Sequence, residues 1–145
     1  MYKDVEMTIE ELQKQIVEEF SFFTDWMEKY EYLIELGKML PPFPEEKKRD
    51  KNLIPGCQSR VWLDGRYEDG KLIFSADSDA IITKGIVSLL IKVFSGHTPK
   101  EIMEANVDFI NQIGLKEHLS ATRANGLASM IQQIKAYAAA GAVII

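Results

Sequence analysis

The chain holds a single cysteine, Cys57, within Ile54-Pro55-Gly56-Cys57-Gln58-Ser59. Pro55 and Gly56 suit the two central positions of a type II turn, whose second position needs a positive φ. Cys57 then leaves the turn just before a predicted strand, where a side chain can project from a tip. Gly56 also lets a partner approach the backbone closely. The chemistry open to such a thiol is nucleophilic, and its reactive form is the thiolate. Flanking amide N–H groups could stabilise that anion, and Lys51 and Arg60 could add positive potential. No helix N-terminus follows Cys57 to lend its dipole. A free cysteine is also often a small buried hydrophobe, and turn placement alone leaves both roles open.

The remaining reactive groups narrow the choice. A hydrolytic cysteine needs a base, and only His97 and His118 supply an imidazole. His97 lies between Gly96 and a helix cap and reads as exposed. His118 lies in the Leu115–Ser120 connection and reads as a hydrogen-bonded structural residue. One Cys and two His at these separations match no metal-ligand spacing, so no metal site is expected. A lone Cys also excludes an internal disulfide and a CxxC redox couple. Sulfur or redox chemistry at Cys57 must therefore involve a second molecule, and a reducing cytoplasm suits a free thiol. Arg123 falls in the first turn of the last predicted helix, where the macrodipole disfavours a cation. It is there either to hold something or as one half of a surface ion pair. Asp77 and Asp79 flank a helix start and complement its dipole.

Composition sets the frame for these residues. The chain has 145 residues, 17 Lys+Arg and 22 Asp+Glu, for a formal charge of −5. The length fits one domain able to bury a core without disulfides. The acidic balance leaves no basic stripe for displacing counterions from phosphates, which argues against nucleic-acid binding. The residues from Met1 to Met7 mix charges and lack the apolar run of a signal peptide. The small and apolar stretch from Ala136 to Ile145 is far short of the ~20 residues that span a bilayer, so no membrane association is expected. It reads as a fraying helix end, with a hydrophobic dimer contact as the alternative.

The elements that must position Cys57 follow from periodicity. Thr8 and Glu11 have capping-box spacing, and Ile9, Leu12, Ile16, Phe20 and Phe23 continue with helical period. Asp25 opens a second helix, predicted from Trp26 to Leu40 and stopped by Pro41-Pro42. Its inner side carries Tyr30, Leu33, Ile34 and Gly37. Residues 41–56 read as an exposed loop leading to Cys57, with a solvated charge run from Glu45 to Lys51. Loops above about 12–15 residues are usually functional or mobile. A hairpin is predicted over 59–67 and 71–77, turned by Asp69-Gly70. Ser78 is the expected cap of the following helix, which Gly96 ends. Thr98-Pro99-Lys100-Glu101 starts another, a short helix over 108–113 ends at Gly114, and Thr122 is the expected cap of the last. Leu127, Met130, Ile131, Ile134 and Tyr137 form its inner face. The sum is a single α+β domain over 1–145, a small antiparallel sheet packed by N-terminal and C-terminal helices.

Four dispersed segments together carry a family resemblance. Gly56-Cys57-Gln58-Ser59-Arg60-Val61-Trp62 resembles the signature of the SufE family, sulfur acceptors for cysteine desulfurases. Tyr32-Leu33-Ile34-Glu35-Leu36-Gly37, Asp77-Ser78-Asp79-Ala80 with Lys84-Gly85, and His118-Leu119 leading to Arg123 and Gly126-Leu127 resemble the same family, in order, over about 8–140. The resemblance implies a fold shared with the IscU-type scaffold. It also implies an accessory protein, with no cofactor or metal of its own, that is not itself an enzyme. Such a protein takes persulfide sulfur onto Cys57 from a SufS-like, pyridoxal-phosphate-dependent desulfurase, stimulates that enzyme, and passes sulfur to an iron–sulfur scaffold. Gly56, Gln58, Asp79, His118 and Arg123 become supporting or partner-binding positions. A cytoplasmic homodimer is implied as well. The lone thiol suits this role, because a second nearby Cys could release the sulfur as sulfide and close a disulfide. Two other readings remain: a binding module or adaptor in which Cys57 is a bystander, and a Cys-dependent hydrolase using His118.

Overall fold

In the computed structural model, which describes residues 7–144, the first helix begins where its capping box predicts. The Thr8 hydroxyl accepts the Glu11 amide at 3.1 Å, and the Glu11 carboxylate accepts the Thr8 amide at 2.9 Å. The start of the chain, read above as lacking a signal peptide, lies outside the described residues except for Met7. Helix α1 (Ile9–Ser21) buries Ile9, Ile16 and Phe20. Helix α2 (Trp26–Lys38) starts on Asp25, whose carboxylate accepts the Glu28 amide. It ends at Lys38, short of the predicted Leu40 and ahead of Pro41-Pro42. Leu33, Leu36 and Gly37 are its buried residues, while Tyr30 and Ile34 are only half-buried.

Strands β1 (Val61–Glu68) and β2 (Lys71–Ser78) pair antiparallel, with Val61 opposite Ser78 and Glu68 opposite Lys71. Asp69 and Gly70 turn the hairpin with φ of 53° and 78°. Those are the positive angles that a tight two-residue connection requires. In β2 burial alternates, with Leu72, Phe74, Ala76 and Ser78 inward. In β1 the alternation fails, because Val61, Trp62 and Leu63 are all buried. The outer face of Trp62 is covered by the segment before the strand: Leu53 bridges to Trp62, and the Lys48 ammonium sits 5.3 Å over its ring.

That segment is more structured than a plain loop over residues 41–56, although most of its residues are exposed. It forms two short 3-10 turns (Glu45–Lys47 and Asp50–Asn52), and Phe43, Asn52 and Ile54 are buried. Its charge run is not simply solvated. Lys47 pairs with Asp64 at 2.8 Å, and Lys48 pairs with Glu45 at 2.9 Å and with Asp77 at 3.1 Å. Apolar anchors and ion pairs thus pin the segment to the hairpin.

Helix α3 (Ile81–Phe94) is apolar on most sides because it is enclosed: it packs against α1, α2, β2 and the last helix, α7 (Ala121–Ile144). Val87, Leu89, Leu90, Val93 and Phe94 are fully buried, and burying a side chain of this kind stabilises by about 1.5–3 kcal/mol. Ser78 does not cap α3; it is the last residue of β2, and Ala80 holds the cap position. The Ser78 hydroxyl instead accepts the Ala80 amide and donates to the Arg60 carbonyl at 2.8 Å. Gly85 brings α3 against α2, where a Cβ would overlap the Leu33 carbonyl oxygen.

Gly96 ends this region with φ 85°. Helix α4 (Pro99–Glu104) carries the predicted capping box of Thr98 and Glu101, and α5 (Asp108–Gln112) ends near Gly114. A single turn, α6 (Leu115–His118), occupies part of the expected connection. Helix α7 is capped by Ser120 rather than Thr122: the Ser120 hydroxyl accepts the Arg123 amide at 3.2 Å. It stays helical through the alanine-rich stretch to Ile144 and packs along α3 and α4. The architecture is a single α+β domain with α3 at its centre. Among the described residues no helix is long and apolar enough to cross a membrane.

Candidate functional site around Cys57

The loop from Pro55 to Arg60 is closed at its base. The Ile54 amide donates to the Val61 carbonyl at 2.9 Å, so entry and exit lie side by side. The Arg60 amide donates to the Asp79 carboxylate at 3.0 Å, and the Asp79 amide donates back to the Arg60 carbonyl. Gly56 has φ 83°, in line with the predicted turn. Cys57 stands beyond it, half-buried and in reduced form.

The thiol faces α7. Its sulfur lies 3.7 Å from the Gly126 carbonyl oxygen, which can accept the S–H proton. Burial pushes the Cys57 thiol above its ordinary pKa. The positive potential expected from Lys51 and Arg60 does not lower it: desolvation is the cause, and it favours the neutral thiol.

Beside the sulfur is a cavity of about 70 Å³. That is room for roughly two waters at ~30 Å³ each, or for one further heavy atom with slack. Gln58 and Ser59 close it from the loop, Thr83 and Ile86 from α3, and Arg123, Gly126 and Met130 from α7. Arg123 is exposed, and among the described residues no acidic side chain pairs with it. Its surface-pair reading is therefore not what the structure contains.

The other predicted residues fall elsewhere. Gln58 lines the cavity, and Gly56 shapes the turn beside it. Asp79 is exposed and holds the loop base, outside the cavity lining. His118 is exposed, stacked on Trp26 with centroids 3.9 Å apart, and its Nδ1 lies 3.1 Å from the Gly114 carbonyl. It does not line the cavity beside Cys57, so the imidazole that a hydrolase would need is not brought to the thiol. His97, expected to be exposed, is buried, and its Nε2 lies 3.0 Å from the Met7 carbonyl. Among the described residues no cluster of three or more His, Cys, Asp or Glu could hold a metal ion. Met130 was legible only as a core position, and Thr122, expected as a cap, lines the cavity. A glycine inside a helical pattern, Gly126, was the available signal that something approaches α7 closely.

Comparisons with known proteins bear on the chain as a whole. Residues 14–138 match the family described as SufE, Fe-S metabolism associated domain. An uncharacterized SufE-like protein of Rhizobium meliloti is 45% identical over 129 residues, covering 86% of this chain and 92% of the relative. One from Rhizobium etli is 41% identical, covering 83% and 85%. One from Synechocystis is 42% identical, covering 87% and 79%. Among solved structures, the solution structure of a hypothetical protein from Thermus thermophilus superposes with a TM-score of 0.75 at 22% identity. The superposition covers 91% of this chain and 96% of that one, a likeness of fold. With its one thiol on the matched loop and the family pattern spanning most of its length, the chain belongs to the SufE family, whose domain is associated with Fe–S metabolism.

Proposed function

We propose that Cys57 accepts sulfane sulfur from the persulfide of a pyridoxal-phosphate-dependent cysteine desulfurase and passes it on for iron–sulfur cluster assembly. The observation that carries this reading is the half-buried thiol at a turn, beside a cavity large enough for one more atom, in a chain of the SufE family. The Cys57 thiol loses its proton, and the thiolate attacks the outer sulfur of the partner persulfide. A new S–S bond forms on Cys57, the S–S bond of the partner breaks, and its thiolate leaves and takes up a proton. No net electron is gained or lost, so no oxidant is required.

The elevated thiol pKa means that the resting protein is a poor nucleophile. Docking must expose the loop and assist ionisation, which fits a carrier that reacts only at its partner. In this reading Arg123, exposed and lining the cavity, meets an anionic group there. The protein acts in this reading as an accessory rather than an enzyme, as a cytoplasmic homodimer that stimulates a SufS-like desulfurase and serves a downstream scaffold.

The test is an intact mass taken after incubation with such a desulfurase and L-cysteine. The wild type should gain about 32 Da, the mass of one sulfur, and Cys57→Ser should gain nothing. No gain in the wild type and no change in desulfurase turnover would overturn the reading. Stimulation preserved in Cys57→Ser would mark the chain as a binding module with a bystander thiol.

A further inference from the structure

Met103 on α4 is 47% exposed and lines an open, mostly apolar groove of about 440 Å³. Gly70 of the hairpin turn, Pro99 at the start of α4 and Ala142 near the end of α7 form further walls, and Lys100 and Glu104 also line it. These walls are fixed relative to one another. A Cβ on Gly141 would overlap the Tyr67 ring and lie 3.0 Å from the Pro99 Cγ. The Lys135 ammonium holds the carbonyls at the end of α4. A surface that is rigid before binding loses less entropy when it docks. Lys100 and Glu104 are both exposed, and among the described residues neither side chain has an ion-pair or hydrogen-bond partner. They do not pair with each other; a Lys four residues before a Glu is the weaker order on a helix.

We propose that this groove is where a second copy of the chain docks, about a two-fold axis that sets α4 antiparallel to the α4 of the copy. The surface is complementary to itself. Opposite charges four residues apart on one helix match when two such helices meet antiparallel. Lys100 of one copy then faces Glu104 of the other, twice over, and both Met103 side chains enter the apolar space between the pairs. One contact thus satisfies every free charge and covers both methionines. Its area is modest, a six-residue helix with the hairpin turn and the end of α7, which places it in the weak class of interfaces, formed at micromolar concentration. The inference names the interface of the homodimer in the proposed function and rests on that part of it. Ala142 lies 16 residues beyond Gly126, about 24 Å along α7 at 1.5 Å per residue. Pairing at the groove therefore keeps both Cys57 loops clear of the contact, and each copy can take its own sulfur while paired.

The experiment is sedimentation equilibrium of the full chain from low to high micromolar concentration. The wild type should pass from monomer to dimer, and added salt should weaken the dimer, because charge pairs at an interface rim are screened. Met103→Lys should leave a monomer throughout. Lys100→Glu and Glu104→Lys should each raise the dissociation constant by about tenfold, since each turns two attractive pairs into two repulsive ones. Mixing those two variants in equal amounts should restore association, because their heterodimer again sets acids against bases. All three positions are exposed, so the variants should melt close to wild type. A wild type that stays monomeric at the highest concentration would overturn both the surface and the homodimer. A dimer left intact by Met103→Lys and by both charge reversals would move the homodimer to another face and overturn the surface alone. Charge-reversed variants that stay monomeric when mixed would refute the pairing of Lys100 with Glu104. Sulfur gain is read separately: a dimer that acquires no sulfur from a desulfurase keeps the interface and removes the acceptor reading.

Discussion

At the scale of single residues, the ionisation of Cys57 governs what the molecule can do. Burial raises the thiol pKa, so the folded chain binds that proton more tightly than the unfolded one. The resulting stability is fully present below the unfolded thiol pKa and is lost as pH rises through the folded value. Thermal melts of wild type and Cys57→Ser should therefore run parallel at neutral pH, and the wild type should fall away on the alkaline side. Parallel curves throughout would mean that the thiol is not desolvated. Arg123 makes a different prediction, because nothing acidic among the described residues engages it. Arg123→Ala should weaken desulfurase stimulation roughly tenfold, the scale of one charge-assisted hydrogen bond, with little change in melting temperature. Equal stimulation would reduce Arg123 to a solvated cation. The turn around Cys57 could be read from Pro55-Gly56, since those residue types specify backbone angles. The thiol's surroundings could not, because Thr83, Ile86 and Met130 arrive from helices distant in sequence.

At the scale of elements, α3 is the piece against which the others are set. Its close approach to α2 depends on Gly85, with the Leu33 carbonyl where a side chain would go. Gly85→Ala forces two helices apart and should cost about 1–3 kcal/mol, a fall in melting temperature of roughly 3–10 °C for a chain of this size. A melt within about 1 °C of wild type would show that the crossing is slack. Helix α7 is held at its middle by Lys135, whose ammonium donates to the carbonyls of Ile102, Met103 and Ala105 at the end of α4. Helix starts were legible wherever the chemistry is local: Thr8 with Glu11, Asp25, and Thr98 with Glu101. The Ser78 and Thr122 caps were misplaced for two different reasons. Ser78 is drawn into the β2 ladder opposite Val61, and Ser120 lies just ahead of Thr122 with its hydroxyl on the Arg123 amide.

At the scale of the whole molecule, one carboxylate joins three parts of the chain. Asp77 at the end of β2 receives Lys48 from the 41–56 segment and Lys84 from α3, at 3.1 Å and 3.3 Å. Burial pushes its pKa up, but hydrogen bonds from Lys48, the Ser78 amide and Lys84 outweigh this and hold it below the ordinary value. Its contribution is present above the unfolded carboxylate pKa and is lost as pH falls through the depressed one. Asp77→Asn should loosen residues 41–56 at neutral pH and raise proteolytic cleavage there. The difference from wild type should shrink once the wild-type carboxyl is protonated in acid. Cleavage that Asp77→Asn leaves unchanged would mean that the Lys47–Asp64 pair and the buried Phe43, Asn52 and Ile54 suffice to keep the segment down. Lys48 and Asp77 are far apart in sequence, so no local pattern announced this junction, whereas the hairpin itself was plain from Asp69-Gly70. The coverage of Trp62 by Leu53 and Lys48 supplies an intrinsic optical probe. In a Trp26→Phe background the remaining indole is the one that the 41–56 segment helps to cover, and a shift of its emission to the red on mixing with a tryptophan-free partner would time the loosening of that segment without any attached dye.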